Sequence, residues 1–126
     1  MNVPPLDLSL LLGTWHNTDR GDSGGILRLE VREQNGALRV RGVGVGTPEP
    51  IDWGEIDAAT YAINDTSRAA WGFTATYEFE HLQAKISGYV NLKLGCGVCT
   101  TYNTFRDPRG RANYYTREFF HVERKP

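Results

Sequence analysis

Alternation of apolar and polar residues with a period of two is the feature that most constrains the fold of this chain. It is clearest over residues 71–80, where one face carries Trp71, Phe73, Ala75, Tyr77 and Phe79. Successive side chains of a β-strand point to opposite faces, so the pattern predicts a strand with one buried face. The alternation recurs through most of the chain. Residues 6–12 are the one helix candidate, and they are too short to form a stable helix alone.

Short turns separate the alternating segments. Asn35-Gly36 lies between segments 26–32 and 38–45. Asn-Gly tolerates the positive φ of a tight hairpin and therefore predicts one here. Short strands are predicted at 51–56 and 60–63. The whole pattern indicates about eight strands, and eight up-and-down antiparallel strands close into a barrel with room for side chains or one small ligand.

Composition limits the domain count and the classes of partner. With 126 residues, the chain is expected to form one barrel domain over 1–126, with about ten residues leading into it. A net charge of −1 argues against a nucleic-acid partner, which needs a concentrated positive field. No apolar run approaches the ~20 residues of a membrane span, so no membrane partner is expected. The start of the chain has no basic n-region, and we expect a cytoplasmic protein.

Two stretches resemble the avidin and streptavidin family of the calycin superfamily. One is Gly13-Thr14-Trp15-His16-Asn17; the other is the segment 71–79 followed by Ile86-Ser87-Gly88. The resemblance implies an avidin-like or lipocalin-like barrel, in which Gly13 and Trp15 close one end and Arg117 or Arg124 stacks over the indole. It also implies that Thr116-Arg117 belongs to the eighth strand and that His121 is near a ligand-binding position.

The family's biotin-contacting residues are mostly not matched here. Only Asn17 carries over cleanly, while Val43, Gly44 and Val45 stand where the family's third strand supplies hydroxyl groups. Losing a set of buried hydrogen bonds costs several kcal/mol, because each unpaired polar group keeps its desolvation penalty. We therefore do not expect tight binding of biotin.

Aromatic residues on the strand faces predict a pocket inside the barrel for a small apolar or aromatic molecule. Its predicted lining is Asn17, Trp53, Trp71, Phe73, Tyr77, Phe79, Tyr102, Phe119 and His121. The alternative is a packed aromatic core. Gly42, Gly44 and Gly46 alternate on one strand, and this spacing either leaves empty volume or relieves the curvature of the barrel.

Two residues are the candidates for acid–base chemistry. If its strand face is inward, His121 is a titratable group inside an aromatic pocket, where it and Tyr102 could act as general acid or base. A register slip of one residue would turn His121 outward. The mouth of the barrel is expected to carry a second set of groups, either as solvated charges or as an acid–base pair: Asp19, Asp22, Asp52 and Glu55.

The motif Cys96-Gly97-Val98-Cys99 precedes a predicted strand rather than a helix. Redox CxxC motifs use a helix N-terminus to lower the thiol pKa, and a zinc site needs a second ligand pair that the chain lacks. We therefore expect a simple thiol pair or a local disulfide. No metal or other cofactor is expected.

Three functions are compatible with these patterns. The leading one is a small-molecule-binding protein. The second is a cofactor-free barrel enzyme, a cyclase, isomerase or dehydratase, which works mainly by holding a reactive substrate in a productive shape. The third is a structural domain with a filled barrel. A homo-oligomer, either a dimer or a tetramer, is compatible with all three.

Overall fold

Eight antiparallel strands form a closed barrel in the computed structural model, which describes residues 5–19, 25–46, 49–107 and 109–124. The strands are β1 (Gly13–Asn17), β2 (Ile26–Gln34), β3 (Ala37–Gly44), β4 (Ile51–Ala62), β5 (Ala70–Glu78), β6 (Leu82–Asn91), β7 (Cys96–Phe105) and β8 (Tyr114–Glu123). Each strand pairs with the next, and β8 returns to pair with β1. The predicted all-β, up-and-down barrel is confirmed.

The turns form where the sequence supplies their chemistry. Asn35 and Gly36 have φ values of 54° and 82°, as the predicted hairpin between β2 and β3 requires. Between β4 and β5, the side-chain oxygen of Asn64 accepts hydrogen bonds from the backbone N–H groups of Thr66 and Ser67. Local side-chain chemistry therefore sets both connections.

One strand replaces the two that were predicted over residues 51–63. β4 continues through residues 57–59, and a bulge near its start, between Asp52 and Gly54, shifts its register with β3. Gly54 lies at this bulge with a φ of 88°, a conformation that glycine adopts without strain. The bulge shifts the register between β3 and β4 and turns the side chain of Trp53 against the inner face of β3.

The residues before β1 close the lower end of the barrel, where the odd-numbered strands begin. Leu8 and Leu11 are buried against the fully buried Trp15. The Nε1–H of Trp15 donates a hydrogen bond of 3.0 Å to the carbonyl of Leu11. Residues 6–12 contain a turn at 9–11 and an isolated bridge from Asp7 to Ala69, and they form no helix. Within the described ranges, no helix has the length and hydropathy needed to cross a membrane.

Interior glycines give the core rings their space. A Cβ atom on Gly97 would lie 2.5 Å from the ring of Trp15, and one on Gly88 would lie 2.6 Å from the ring of Phe73. These two rings meet edge to face, with centroids 5.5 Å apart. The lower half of the barrel is therefore a closely packed core rather than a cavity.

Candidate functional site

Three aromatic rings line one side of the upper end of the barrel, where the odd-numbered strands finish. We call Trp53, Tyr77 and Phe79 the aromatic wall. Their ring centroids are 5.4 to 5.8 Å apart, and the rings of Tyr77 and Phe79 are stacked. Trp53 and Phe79 pack against the core yet are only half-buried. Partial exposure of inward-packed rings indicates that this end of the barrel opens to solvent.

Trp53 fills the space that the alternating glycines of β3 were predicted to leave. A Cβ atom on Gly44 would lie 2.6 Å from its Nε1, and one on Gly42 would lie 2.8 Å from its ring. The glycines are therefore needed for the close approach of the indole. The prediction of empty volume at this point is wrong.

The hydroxyl of Tyr77 forms hydrogen bonds with backbone groups of β3 and β4. It accepts a hydrogen bond of 2.7 Å from the N–H of Gly42 and donates one of 2.7 Å to the carbonyl of Gly54. Burial raises the pKa of Tyr77 above its ordinary value, so the hydroxyl stays protonated. Tyr77 lines the upper end with its ring, while its hydroxyl completes the β3–β4 ladder at the bulge.

Polar side chains line the inner face of β7, two strands along the sheet from Tyr77 on β5. Cys99, Thr101 and Asn103 alternate along the inner face of β7 and are all buried; we call them the polar column. Glu118 of β8 lies directly opposite Cys99 and is also buried. On the other flank, Ala84 of β6 pairs with Asn103 and separates it from the aromatic wall.

Glu118 is held by Asn17. The side-chain amide of Asn17 donates a hydrogen bond of 2.5 Å to the Glu118 carboxylate and one of 2.7 Å to the carbonyl of Ile26. Its oxygen accepts from the N–H of Asp19 at 2.8 Å. All the hydrogen-bonding capacity on the nitrogen of Asn17 is therefore engaged within the protein. Asn17 lies inside the barrel, as predicted, and positions the carboxylate.

Thr101 carries a buried polar atom without a partner. The residue retains 5% of its exposure, and its Oγ1 makes no well-formed hydrogen bond with any described residue. Oγ1 is near enough to the Cys99 thiol to lower its pKa slightly. Asp107, two residues beyond β7, has a similarly buried carboxylate oxygen without a partner among the described residues. Buried unsatisfied atoms are rare in proteins, and each needs a physical explanation.

The two cysteines are free thiols, so the local disulfide is excluded as a structural alternative. They lie within β7 rather than in a loop before it, and residues three apart on a strand point to opposite faces. Burial raises the pKa of Cys99 to about 12, which keeps it a neutral thiol. Within the described chain, no group of three or more potential metal ligands lies close together.

Three predicted pocket residues lie outside the barrel. Tyr102 is 50% exposed and Phe119 is 43% exposed. His121 is also exposed and pairs with His16 on the outer face of β1. The inner positions of β8 are instead the even-numbered ones, which include Glu118 and Phe120. The predicted inner face is therefore the outer one, because a shift of one residue along a strand reverses the direction of every side chain. The catalytic assignment of His121 and Tyr102 to the interior is therefore corrected.

Two further predicted residues lie far from the upper end. Phe73 is buried in the lower core between Trp15 and Gly88. Trp71 lies at the start of β5, near the closed end, and is half-buried. The predicted pocket therefore combined residues from both ends of the barrel. Of its aromatic residues, the structure brings together Trp53, Tyr77 and Phe79 at the upper end.

The predicted mouth carboxylates have structural partners. Asp52 caps the bulge by accepting from the N–H of Gly54 and pairs with Arg41 at 2.8 Å. The Gly54 hydrogen bond is the main cause that lowers the pKa of Asp52. Glu55 lies in an outer-face ion-pair cluster, Asp19 is exposed, and Asp22 falls outside the described residues. No acid–base pair forms from the described members of this set.

Neither predicted arginine stacks over Trp15 in the described part of the chain. The guanidinium of Arg117 lies over Phe119 on the outer face, 5.4 Å from the ring centroid. Arg124 donates to the carbonyl of Ser9 at the lower end. Gly13 and Trp15 nevertheless lie at the closed end, as expected. Phe73 and Phe120, rather than a cation, provide the ring contacts of Trp15.

Sequence reasoning missed the polar column and Glu118. On β7 both faces contain threonines, so hydrophobicity alone does not separate inside from outside. On β8 a signal was present: Arg117 and His121 share one face, while Phe120 and Val122 share the other. Glu118 shares the face of Phe120 and Val122, so assigning this apolar pair to the interior would have predicted that Glu118 is also inside.

Concave surface also occurs outside the barrel, on β1 to β4. It is lined by Thr14, Glu30, Arg32 and Arg41, and its acidic and basic groups pair with one another or with their neighbours. These outer grooves bring no unsatisfied polar atom together with an apolar wall. The upper interior is therefore the better candidate site.

Comparison of the chain with known protein families, curated proteins and solved structures finds no match. The fold and the arrangement of the upper interior define the protein as an eight-stranded antiparallel β-barrel, consistent with a calycin-like fold, with buried aromatic clusters.

Proposed function

We propose that the protein binds a small molecule in the upper interior of the barrel, between the aromatic wall and the polar column. The observation that supports this most directly is the buried, unpartnered hydroxyl of Thr101. An unsatisfied buried hydroxyl costs about 1–3 kcal/mol, a penalty that a hydrogen bond from a ligand or from a ligand-associated water would offset.

The composition of the site fits this function. Ligand sites are mostly apolar and contain a few polar groups that fix orientation. Here Trp53 and Phe79 supply half-buried aromatic surface, and Thr101 and Asn103 supply hydrogen-bonding groups on β7. The buried base formed by Trp15 limits how deeply a ligand enters.

The likeness to the avidin family belongs to this proposal. It is supported by the up-and-down strand order, by Trp15 at the closed end and by Asn17 at an inner position of β1. The polar column has no counterpart in the motifs that suggested the family, so we propose a ligand other than biotin.

A barrel enzyme is the second candidate. Its acid–base group would be Glu118, since this carboxylate is buried beside the proposed ligand space while His121 and Tyr102 are outside. Turnover of a bound substrate that is lost in Glu118→Gln, with binding retained, would favour the enzyme over the pure binder.

We also propose that the barrel forms a homo-oligomer. The outer face of β6 to β8 carries a cross-strand row of Tyr89, Val98 and Phe119. Two of these are large exposed side chains. Exposed apolar surface of this kind is typical of interaction sites.

Native mass spectrometry of the protein as purified, followed by denaturation of the same sample, tests the proposal. We expect a bound small molecule that is released on denaturation, and the native mass also gives the oligomeric state. If the protein carries nothing, titration with the uncharged fluorophore N-phenyl-1-naphthylamine is expected to show saturable binding. Absence of both would favour the third candidate, a filled structural barrel.

A pair of variants tests whether the ligand binds inside the barrel. Ala84→Leu puts a larger side chain between Asn103 and Tyr77 and is expected to abolish binding. Thr104→Val alters an exposed position on the outside of the neighbouring strand β7 and is expected to leave binding unchanged. Circular dichroism confirms that both variants are folded. Equal binding by a folded Ala84→Leu protein would contradict an interior site.

A further inference from the structure

The turn between β2 and β3 lies at the lower end of the barrel and is open to solvent. Gln34 and Ala37 are the last paired residues of the two strands, so Asn35 and Gly36 form a two-residue loop. All four residues are exposed. A Cβ atom added to Gly36 would have no heavy atom within 4 Å. The peptide bond that joins Asn35 to Gly36 is therefore free of tertiary packing.

Neither reactive group at this peptide bond is held by a hydrogen bond. In a two-residue hairpin the ladder bonds join the residues that flank the loop, here Gln34 and Ala37, and they leave the N–H of Gly36 free. Among the described residues, the side-chain amide of Asn35 has no hydrogen-bond partner. The backbone nitrogen of Gly36 and the amide carbon of Asn35 can therefore approach each other when the loop fluctuates.

The other described asparagines are held or buried. The side-chain oxygens of Asn64, Asn91 and Asn113 each accept a hydrogen bond from a backbone N–H group. Asn17 and Asn103 are buried inside the barrel. None of these five precedes a glycine, so the next residue always carries a Cβ atom that hinders approach to its nitrogen.

We propose that Asn35 is a site of spontaneous deamidation, in which the backbone nitrogen of Gly36 attacks the side-chain amide carbon of Asn35. The new C–N bond closes a succinimide ring. The amide nitrogen leaves as ammonia and takes up the proton that the Gly36 nitrogen loses. Water then adds to one of the two ring carbonyls and breaks its bond to the ring nitrogen. Opening at one carbonyl gives aspartate, and opening at the other gives isoaspartate.

The two products have different consequences for the hairpin. Aspartate keeps the original backbone path and tolerates the positive φ of 54° that Asn35 adopts. Isoaspartate routes the main chain through the former side-chain carbon and adds a methylene group to the loop. The loop then no longer matches the twist of the flanking strands, which a two-residue turn with positive φ provides. Isoaspartate formation is therefore expected to weaken the β2–β3 pairing.

Timed incubation of the purified, folded protein at mildly alkaline pH tests the proposal. Peptide mapping by mass spectrometry follows all seven asparagines of the chain. An isoaspartyl methyltransferase with radiolabelled S-adenosylmethionine measures isoaspartate separately. We expect Asn35 to convert at least about ten-fold faster than any other asparagine, which corresponds to about 1.4 kcal/mol in activation free energy. The rate is expected to rise with pH, because the attacking nitrogen must lose its proton.

Two variants assign the reaction to this turn. Asn35→Gly keeps a residue pair that favours the same turn and removes the reacting amide, so the modification is expected to be lost. Asn113→Gln changes an exposed asparagine in another hairpin and is expected to leave the rate at Asn35 unchanged. Faster conversion at any other asparagine would overturn the proposal.

Unfolding the protein in urea shows whether the native turn permits the reaction. We expect the folded rate at Asn35 to be within about ten-fold of the unfolded rate, a difference of about 1.4 kcal/mol. An Asn35 that stays intact in the folded protein while it converts in urea would overturn the proposal. The isoaspartate form, separated by ion exchange, is expected to have a Tm several degrees below that of Asn35→Asp. Equal Tm values would overturn the consequence proposed for the hairpin.

Discussion

The hydroxyl of Tyr77 is inserted into the backbone ladder of two other strands, where it donates 2.7 Å to the carbonyl of Gly54. Gly42 and Gly54 face each other on β3 and β4, at the point where the bulge shifts their register. The hydroxyl accepts from the N–H of Gly42 and donates to Gly54, so one side chain satisfies two backbone groups. The ring of Tyr77 thereby becomes a fixed part of the aromatic wall.

Removing this hydroxyl is expected to destabilise the barrel. Tyr77→Phe leaves the buried N–H of Gly42 and the half-buried carbonyl of Gly54 without this partner, and we expect a loss of about 1–3 kcal/mol in the free energy of unfolding. Urea denaturation measures it. Tyr102→Phe, on an exposed side chain, is the control and is expected to change stability by less than about 0.5 kcal/mol. Equal stability of the two variants would contradict the role of Tyr77 at the bulge.

The contact between Gly97 and Trp15 predicts a coupled pair of substitutions. Gly97→Ala places a Cβ atom 2.5 Å from the ring of a fully buried tryptophan, and we expect a loss of about 1–3 kcal/mol. Trp15→Phe removes the ring atoms that clash. In that background Gly97→Ala is therefore expected to cost less, which a double-mutant cycle measures. Additive effects would show that the glycine is needed for another reason.

The sequence was sufficient for the fold because its turns and its alternation act locally. Asn35-Gly36 requires positive φ, and a turn of that geometry determines which strands meet. At Gly54 the sequence permits either a close turn or a bulge, and the local pattern does not decide between them. A bulge depends on contacts from another part of the chain, here the hydroxyl of Tyr77, so local patterns do not reveal it.

The site was predicted only in part because it depends on strand parity. Asn17, Tyr77 and Phe79 lie at the inner positions that the alternation of their segments predicts, whereas Trp53 is turned inward by the bulge in β4. On β7 and β8 the faces differ less, and the aromatic face was taken as the inner one. The barrel instead exposes Tyr102 and Phe119, while Glu118 is inside, because Phe120 on the same face packs on Trp15.

The outer ion pairs predict a pH dependence of stability. Hydrogen bonds from Arg32, aided by Arg39, lower the pKa of Glu55 from 4.5 to about 2. A carboxyl whose pKa is lower in the folded state favours folding at a pH above its unfolded value. Its contribution is therefore complete above about pH 4.5 and declines as the pH falls towards 2.

Glu55→Gln is expected to reduce this decline. Thermal unfolding from neutral pH down to about pH 2 gives the slope for each protein. The variant is expected to have a lower Tm than the wild type at neutral pH and to approach it at the acid end. Glu33→Gln, at an exposed position of β2, is the control and is expected to keep the wild-type slope. An unchanged slope in Glu55→Gln would contradict the assignment.

Thr101→Val tests whether the unpartnered hydroxyl is a cost in the empty barrel. Valine has nearly the same shape and removes the unsatisfied group, so the ligand-free variant is expected to be more stable by about 1 kcal/mol. Chemical denaturation of ligand-free protein measures this. Thr104→Val, outside the barrel, is expected to have little effect. A less stable Thr101→Val protein would show that the hydroxyl already has a good partner when the site is empty.

The burial of Cys99 predicts that the two thiols react at very different rates. With a pKa of about 12, Cys99 carries almost no thiolate near neutral pH, and its side chain is 1% exposed. Cys96, at the edge of β7, is half-buried.

Brief treatment of the native protein with N-ethylmaleimide is expected to add at most one label, and treatment after unfolding is expected to add two. Cys96→Ser is expected to abolish the native label, while Cys99→Ser keeps it. Rapid double labelling of the native protein would mean that the inner face of β7 is open to reagents, and the polar column would then be a solvated channel rather than an enclosed site.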